Sequence, residues 1–231
     1  MMHALINLYN DRMFLGACLE SLVDNVDHII VADGAYKLYY EHFLQFDPEA
    51  KPYSNDGSLE LIKSFRGLPP VTIIDNDGEL WENQTVKRTS LIDAVPDGDS
   101  FFIIDADEMI TGDFQEAVED WMDSGLISCQ FALYHPGTEF ERVNPAWHPR
   151  IFRKTEGMHY RGTHWHLRDR KNFVVEERYP IFLSEKIAII HLKPFKTKAR
   201  LIPHVNYMNE LGAQGWVEPT ELGKLMSRTP Q

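Results

Sequence analysis

Short apolar runs alternate with segments of helical periodicity through the first half of the chain. Ala4-Leu5-Ile6-Asn7-Leu8-Tyr9 reads as a buried strand. Asn10 or Asp11 then caps a helix in which Phe14, Ala17, Cys18, Ser21 and Leu22 share a face. His28 to Ala32 is a second strand that stops at the turn signal Asp33-Gly34. Tyr36 to Tyr53 is aromatic and poorly periodic, an inserted loop or irregular helix. Asp56 caps a helix carrying Leu59, Ile62 and Phe65. Pro69-Pro70 breaks the chain before a third strand, Val71 to Ile74. A helix from about Trp81 to Ala94 and a turn at Pro96 to Asp99 lead to a fourth strand, Phe101 to Ile104, ending in Asp105.

The second half is mixed. Phe114, Ala117, Val118 and Trp121 mark a helix. Strand-like runs follow at 128–134, 148–153, 178–183 and 187–192, and a last helix covers roughly 198–211. Four strands alternating with helices predict an α/β fold, a doubly wound, mostly parallel sheet with helices on both faces, followed by a mixed C-terminal region. No Gly/Ser/Pro-rich linker divides the halves, so residues 1–231 are expected to form one domain.

Ligands in such sheets lie beyond the carboxyl ends of the strands. Two of those ends carry acids, Asp33 and Asp105. An isolated Asp-x-Asp is common by chance and usually an acidic turn that caps the next helix. Asp105-Ala106-Asp107-Glu108, however, leaves the fourth strand directly. Carboxylates at i and i+2 there converge on one hard cation, Mg²⁺ or Mn²⁺, which bridges to a diphosphate. Asp33 is placed to accept from a base N–H or a ribose hydroxyl, although Asp-Gly alone is an ordinary turn. Asp11 and Arg12 follow the first strand, where backbone groups line a nucleotide pocket. Lys87 and Arg88, on the helix before the fourth strand, read equally as phosphate ligands or as an exposed basic pair. His159, His164, His166 and His191 form a second constellation. His164-Trp165-His166 sets two imidazoles on one side of a strand, and one of the four is expected to complete a metal shell begun by Asp107.

Composition adds exclusions. The 231 residues carry 35 acids against 23 bases, a formal net charge of −12, which argues against coating a nucleic acid. The basic residues that are present cluster late. Cys18 and Cys129, far apart in apolar patterns, read as buried free thiols in a reducing compartment. Met1 to Leu5 lacks a signal-peptide pattern and no apolar run approaches a membrane span, so a cytoplasmic location is expected.

Taken in order, these stretches resemble a family 2 glycosyltransferase of the GT-A fold, in particular its small bacterial and phage-type members that act on cell-wall or surface polysaccharides. The resemblance rests on Asn10-Asp11-Arg12, Asp27 to Gly34, Asn55-Asp56-Gly57-Ser58, Lys87-Arg88-Thr89 and Phe102 to Glu108. It continues through Pro149 to Lys154, Tyr160 to His164 and Ile189-Ile190-His191, spanning most of the chain. It implies a nucleotide-sugar-binding half, 1–110, and an acceptor side, 111–231. Asn10, Asp11 and Asp33 would belong to the nucleotide site. Asp105 and Asp107 would hold a nucleotide-diphosphate sugar with Mn²⁺ or Mg²⁺, and His191 or His164 would be the late metal-side histidine. Lys87, Arg88 or Arg153 would add positive charge. Transfer would be inverting, to a hydroxyl of a saccharide, protein, lipid-linked or nucleobase acceptor, with an acid as base. Glu141, Glu108, Glu139 and Asp169 are the candidates for that acid.

The chain departs from the family where 36–53 splits the Asp-Gly-Ser-type turn, and where Thr163 to His166 allows two registers. A sugar-phosphate nucleotidyltransferase shares the sheet and the acids, but Asn10-Asp11-Arg12 stands where its Gly-rich loop belongs. A metal hydrolase or oxygenase built on His164 and His166 needs a third ligand, Asp169 or His191. A binding domain without turnover has no need of both Asp105 and Asp107.

Overall fold

The computed structural model describes residues 1–136, 146–161 and 163–213, with only the backbone path of 146, 163–165, 212 and 213. Ten strands are described: β1 (Met2–Leu8), β2 (His28–Asp33), β3 (Val71–Ile74), β4 (Ser100–Asp105), β5 (Glu108–Gly112), β6 (Ser128–Tyr134), β7 (Ala146–Arg153), β8 (His159–Arg161), β9 (Thr163–Arg168) and β10 (Ile181–His191). The described α-helices are α1 (Arg12–Leu22), α2 (Lys37–Leu44), α3 (Ser58–Ser64), α4 (Gln84–Asp93), α5 (Phe114–Ser124), α6 (Val175–Arg178) and α7 (Lys198–Ala213). Eight strands form one sheet in the order β3-β2-β1-β4-β7-β6-β10-β5, and β8 with β9 forms a separate hairpin.

The first four strands run parallel. The middles of β1, β2 and β4 are apolar because both faces are covered there. Ala4, Ile6 and Leu8 of β1 pack with Leu15, Cys18, Leu19 and Leu22 of α1 and with Phe114 and Trp121 of α5. Leu5 and Tyr9 face the other way, toward Tyr39 and Phe43 of α2, Leu91 and Ile92 of α4, and Tyr207 of α7. The period-2 alternation of the strand thus divides two cores. Both cysteines are buried free thiols, as their apolar surroundings predicted.

Three elements differ from the sequence expectation. The helix expected from Trp81 starts at Gln84, because the Asn83 side chain accepts Val86 N–H and caps it there. Trp81 instead bridges to Tyr36, and its Nε1 donates to the Asp33 carbonyl at 2.7 Å. The aromatic insertion contains α2, whose Tyr39 and Phe43 pack with Tyr9. The runs expected at 178–183 and 187–192 are one strand, β10, whose pairing with β6 shifts register between Leu183 and Ala188. The turn α6 precedes it.

A further strand, β5, was not expected after Asp107, and it explains the curl of the sheet. Four inter-strand steps of about 4.8 Å would put ~19 Å between β4 and β5 in a flat sheet. The three Cα steps from Asp105 to Glu108 reach at most about 11 Å. The sheet therefore curls, bringing its far edge back under the end of β4. Pairing between β4 and β7 stops at Phe102, so the last residues of β4 are parted from β7. Gly112 closes β5 at φ +97°, and a Cβ there would lie 2.2 Å from the Lys186 carbonyl oxygen. Gly112→Ala is expected to destabilise the protein by about 2–4 kcal/mol, read as a lower midpoint of thermal unfolding.

Candidate active site

Strand order reverses at β1, with β2 on one side and β4 on the other. That makes the carboxyl ends of β1 and β4 a topological switch point, where open α/β sheets bind ligands. Asp11 follows β1 and Asp105 ends β4. Two residues on, Asp107 is buried in the link to β5. Antiparallel pairing sets His191 opposite Glu108, and Leu192 N–H donates to the Asp107 carbonyl at 2.7 Å. The last strand thereby delivers His191 to the acid: Nε2 lies 3.2 Å from Asp107 Oδ2.

Just beyond His191, a 3-10 turn (Lys193–Phe195) and the start of α7 bring in cations. Lys196 Nζ is 2.9 Å from Asp107 Oδ2 and 2.8 Å from Asp11 Oδ1. Arg200 reaches Asp11 Oδ1 at 3.2 Å and the Tyr9 carbonyl at 2.7 Å, and lies over Phe43. Asp11 thus begins α1 without capping it by its side chain, contrary to expectation, because its carboxylate is committed to these cations. Burial alone would raise the pKa of Asp107. Lys196 and His191 outweigh it and hold the carboxyl well below its usual range. Lys196 is correspondingly raised: burial opposes its charge, but Asp107 and Asp11 prevail.

A second layer supports the acids. Arg88 Nη2 pairs with Asp105 Oδ1 at 2.6 Å. Glu108 accepts the Asp105 N–H at 2.9 Å through Oε2 and pairs with Arg150 at 2.6 Å through Oε1. Burial raises the Glu108 pKa, in part offset by Arg150. Both of its oxygens brace the β4–β5 corner.

A cavity of about 380 Å³ adjoins this cluster, lined among others by Asn10, Asp11, Asn55, Asp56, Lys196 and Arg200. Asn10 and Asn55 fix its floor: Asn55 N–H donates to Asn10 Oδ1 at 2.8 Å, and Asn10 Nδ2 to Asn55 Oδ1 at 3.2 Å. Asp33 fastens the return of the inserted segment. Its carboxylate accepts Ser54 N–H at 3.0 Å and Ser54 Oγ–H at 2.5 Å, and it is buried. The interrupted turn is thus rejoined in space across the insertion.

Two expected contributors sit elsewhere. Lys87 is buried with Nζ on the carbonyls of Leu8, at 2.7 Å, and Gly34, at 2.5 Å, so it ties strand ends together rather than reaching for a phosphate. Burial lowers its pKa to about 7, with Asp33 opposing the shift. Arg153 pairs in register with Ser100, at the opposite end of β4. Five strand residues, ~16 Å, separate it from Asp105, and its guanidinium lies over Trp121. The strand turns Arg150, not Arg153, toward the acids.

Among the histidines, His159 binds the Gly157 carbonyl and His166 pairs with Glu176 at 2.8 Å on the separate hairpin. The side chain of His164 lies outside the described residues, as do Glu139 and Glu141. Asp169 accepts the N–H groups of Lys171 and Phe173 in a turn.

Sequence reasoning missed Lys196, Arg200, Arg150 and two further histidines. His135 lies against His191 with ring centroids 4.9 Å apart and the rings tilted by 46°. His148 is pushed down to about 4 by burial, then by Arg150 and His191. The late basic cluster was the available signal for Lys196 and Arg200. The shift at His148 has a consequence for acid stability. Between pH 6.5 and 4 the unfolded chain holds a proton on His148 that the folded protein excludes, so stability falls on acidification through that window. The loss is on the order of 3 kcal/mol at most. His148→Gln should flatten the denaturation midpoint against pH over that range; an unchanged slope counts against the assignment.

No protein-family model matches the chain, and no curated protein matches it. Among solved structures it is similar to a crystal structure of S. aureus TarS 1-349, at 12% identity and TM-score 0.58, covering 98% of this chain and 69% of that one. A second S. aureus TarS crystal structure matches at 12% identity and TM-score 0.55, over 97% of this chain and 42% of that one. The chain thus spans about two fifths of that longer TarS chain. Glucosyl-3-phosphoglycerate synthase from Mycobacterium tuberculosis, in complex with Mn²⁺, uridine diphosphate and glucosyl-3-phosphoglycerate, matches at 14% identity and TM-score 0.38. That match covers 65% of this chain and 55% of the synthase, too partial to bear on the fold. The likeness to TarS and the strand order establish a GT-A-like α/β fold. Among the described residues, no helix is long and apolar enough to cross a membrane.

Proposed function

We propose that the chain is a family 2-like, hexosyltransferase-type glycosyltransferase that moves a sugar from a nucleotide-diphosphate donor to an acceptor hydroxyl, with inversion, using Mn²⁺ or Mg²⁺. The observation that carries this reading is the convergence of Asp107 and His191 at the switch point, beside a cavity walled by Lys196 and Arg200.

The donor chemistry fits such an ion. A carboxylate oxygen and an imidazole nitrogen meet at one point, and the buried His191 Nδ1 has no hydrogen-bond partner. Among the described residues no group of three His, Cys, Asp or Glu could hold a metal. Two protein ligands suit an ion that takes its remaining oxygens from a diphosphate and water. Bound there, the ion would neutralise charge on the departing diphosphate.

The chain's own groups do the rest. Asn10, Asn55 and Asp56 offer hydrogen bonds to a nucleoside. Arg200, whose Nη1 is buried without a partner, offers a donor to a phosphate or a base carbonyl. Arg88 orients Asp105. Glu108 positions the corner; with both oxygens engaged it has none spare for an acceptor proton, and Asp169 is likewise engaged in its turn, which leaves Glu141 or Glu139 as the candidate base. Asp33 serves the scaffold under the nucleoside. Residues 1–231 act as one domain, with the acceptor entering from the later half.

Thermal unfolding with nucleoside diphosphates and nucleotide sugars, with and without Mn²⁺, tests this. One nucleotide family should raise the midpoint only when Mn²⁺ is present. At a hundredfold excess over Kd the gain is about 2.7 kcal/mol, or roughly 5–10 °C for a chain of this size. If no nucleotide shifts the midpoint in either condition, the reading is wrong.

A further inference from the structure

The contact between Lys196 and Asp107 bears on how a cation would enter the site. The Lys196 ammonium and the His191 imidazole converge on one oxygen, Asp107 Oδ2, at 2.9 and 3.2 Å. That is the oxygen a divalent ion held by Asp107 and His191 would need. Lys196 also spans to Asp11 Oδ1 at 2.8 Å, so a single positive charge links the acid after β1 to the acid after β4.

We propose that Lys196 is the resident counter-ion of this acid pair. It holds the cation position in the unloaded protein and must release Asp107 before a divalent ion can bind. This rests on the Asp107–His191 metal reading above. The local structure allows the exchange. Lys196 sits at the joint between the 3-10 turn and α7, with extended φ and ψ of −64° and 147°, so its side chain can swing without unwinding a helix. Asp11 keeps a cation when Lys196 leaves, because Arg200 remains 3.2 Å away. Arg200 is pinned by the Tyr9 carbonyl and Phe43 and is not the mobile partner. The released ammonium lines the same cavity and has a diphosphate as its replacement partner. The metal alone therefore binds weakly, and the metal with its diphosphate binds well. Lys196 would make loading of the ion depend on the donor, a role that geometry gives it and a fixed metal shell would not need.

Titrating Mn²⁺ alone into the full chain, with free ion followed by electron paramagnetic resonance, tests the proposal. If Lys196 occupies Asp107 about nine-tenths of the time or more, Lys196→Gln should bind Mn²⁺ at least ~10-fold more tightly than the wild type. Lys196→Arg, which keeps the charge, should stay within about 3-fold of the wild type. Both acids retain a partner in Lys196→Gln, so the variant should fold. Lys196→Met serves as a second charge-removing variant should it not. Equal Mn²⁺ affinity in wild type and both charge-removing variants, with binding lost in Asp107→Asn, overturns the exchange and leaves the metal site standing. Absence of Mn²⁺ binding in every variant, or binding indifferent to Asp107→Asn, overturns both.

Discussion

Asp107→Asn is expected to lower sugar transfer by at least about 10³-fold while the protein stays folded. Losing one oriented electrostatic partner of a departing anion typically costs 10²–10³-fold in rate. Here the same change would also remove one of the two ligands proposed for the ion. The fold should survive, because an amide fills the same volume and can still hydrogen-bond where the carboxylate meets His191 and Lys196. Transfer should be followed by release of the nucleoside diphosphate, beside a far-ultraviolet spectrum and a melting curve. A wild-type rate in this variant would remove the metal from the mechanism. A lost rate together with a lost fold would say nothing about chemistry, so Asp107→Glu is the companion: it keeps the charge, lengthens the reach, and should retain Mn²⁺ binding with poor transfer.

Arg150→Met should produce the largest loss of stability. Glu108 is 1% exposed, and Arg150 is its ion-pair partner at 2.6 Å. Removing the guanidinium leaves a buried carboxylate beside Asp105 with no cation of its own. Breaking a buried pair on one side costs about 3–5 kcal/mol, or roughly 6–20 °C in Tm for a chain of this size. Glu108→Gln in the Arg150→Met background should recover much of that, since the amide oxygen still accepts the Asp105 N–H and the charge is gone. A Tm change below about 2 °C in the single variant would mean that water or a neighbour replaces Arg150. Because Glu108 fixes the Asp105 backbone, the single variant should also weaken Mn²⁺-dependent nucleotide binding at temperatures where it remains folded.

Local pattern carried the fold a long way. β1 to β4 are apolar runs bounded by turn residues, and their contacts with the intervening helices follow from period alone. The acids at the ends of β2 and β4 were legible because a strand end is where such a sheet binds ligands. Where local chemistry and pairing disagreed, pairing prevailed. Met109 and Ile110 fit a helix or a strand by composition, and only the far edge of the curled sheet, reaching back to His191, makes 108–112 a strand. Arg150 and Arg153 are equally basic and three residues apart. The antiparallel register of β7 sends one to the acids and leaves the other at the opposite end of the sheet. Lys87 read equally as a phosphate ligand or an exposed cation, yet two strand-end carbonyls needed a donor and drew it inside.

What the sequence determined by itself was therefore the alternation of strands and helices, the position of the Asp105-Ala106-Asp107 corner and the presence of a late histidine. All of these depend on neighbours along the chain. The partners of Asp107 lie 84 and 89 residues away from it, at His191 and Lys196. Such pairs are chosen by which strand closes the sheet and where the following helix begins. That choice is made by burial of two whole faces at once, and no local spacing encodes it.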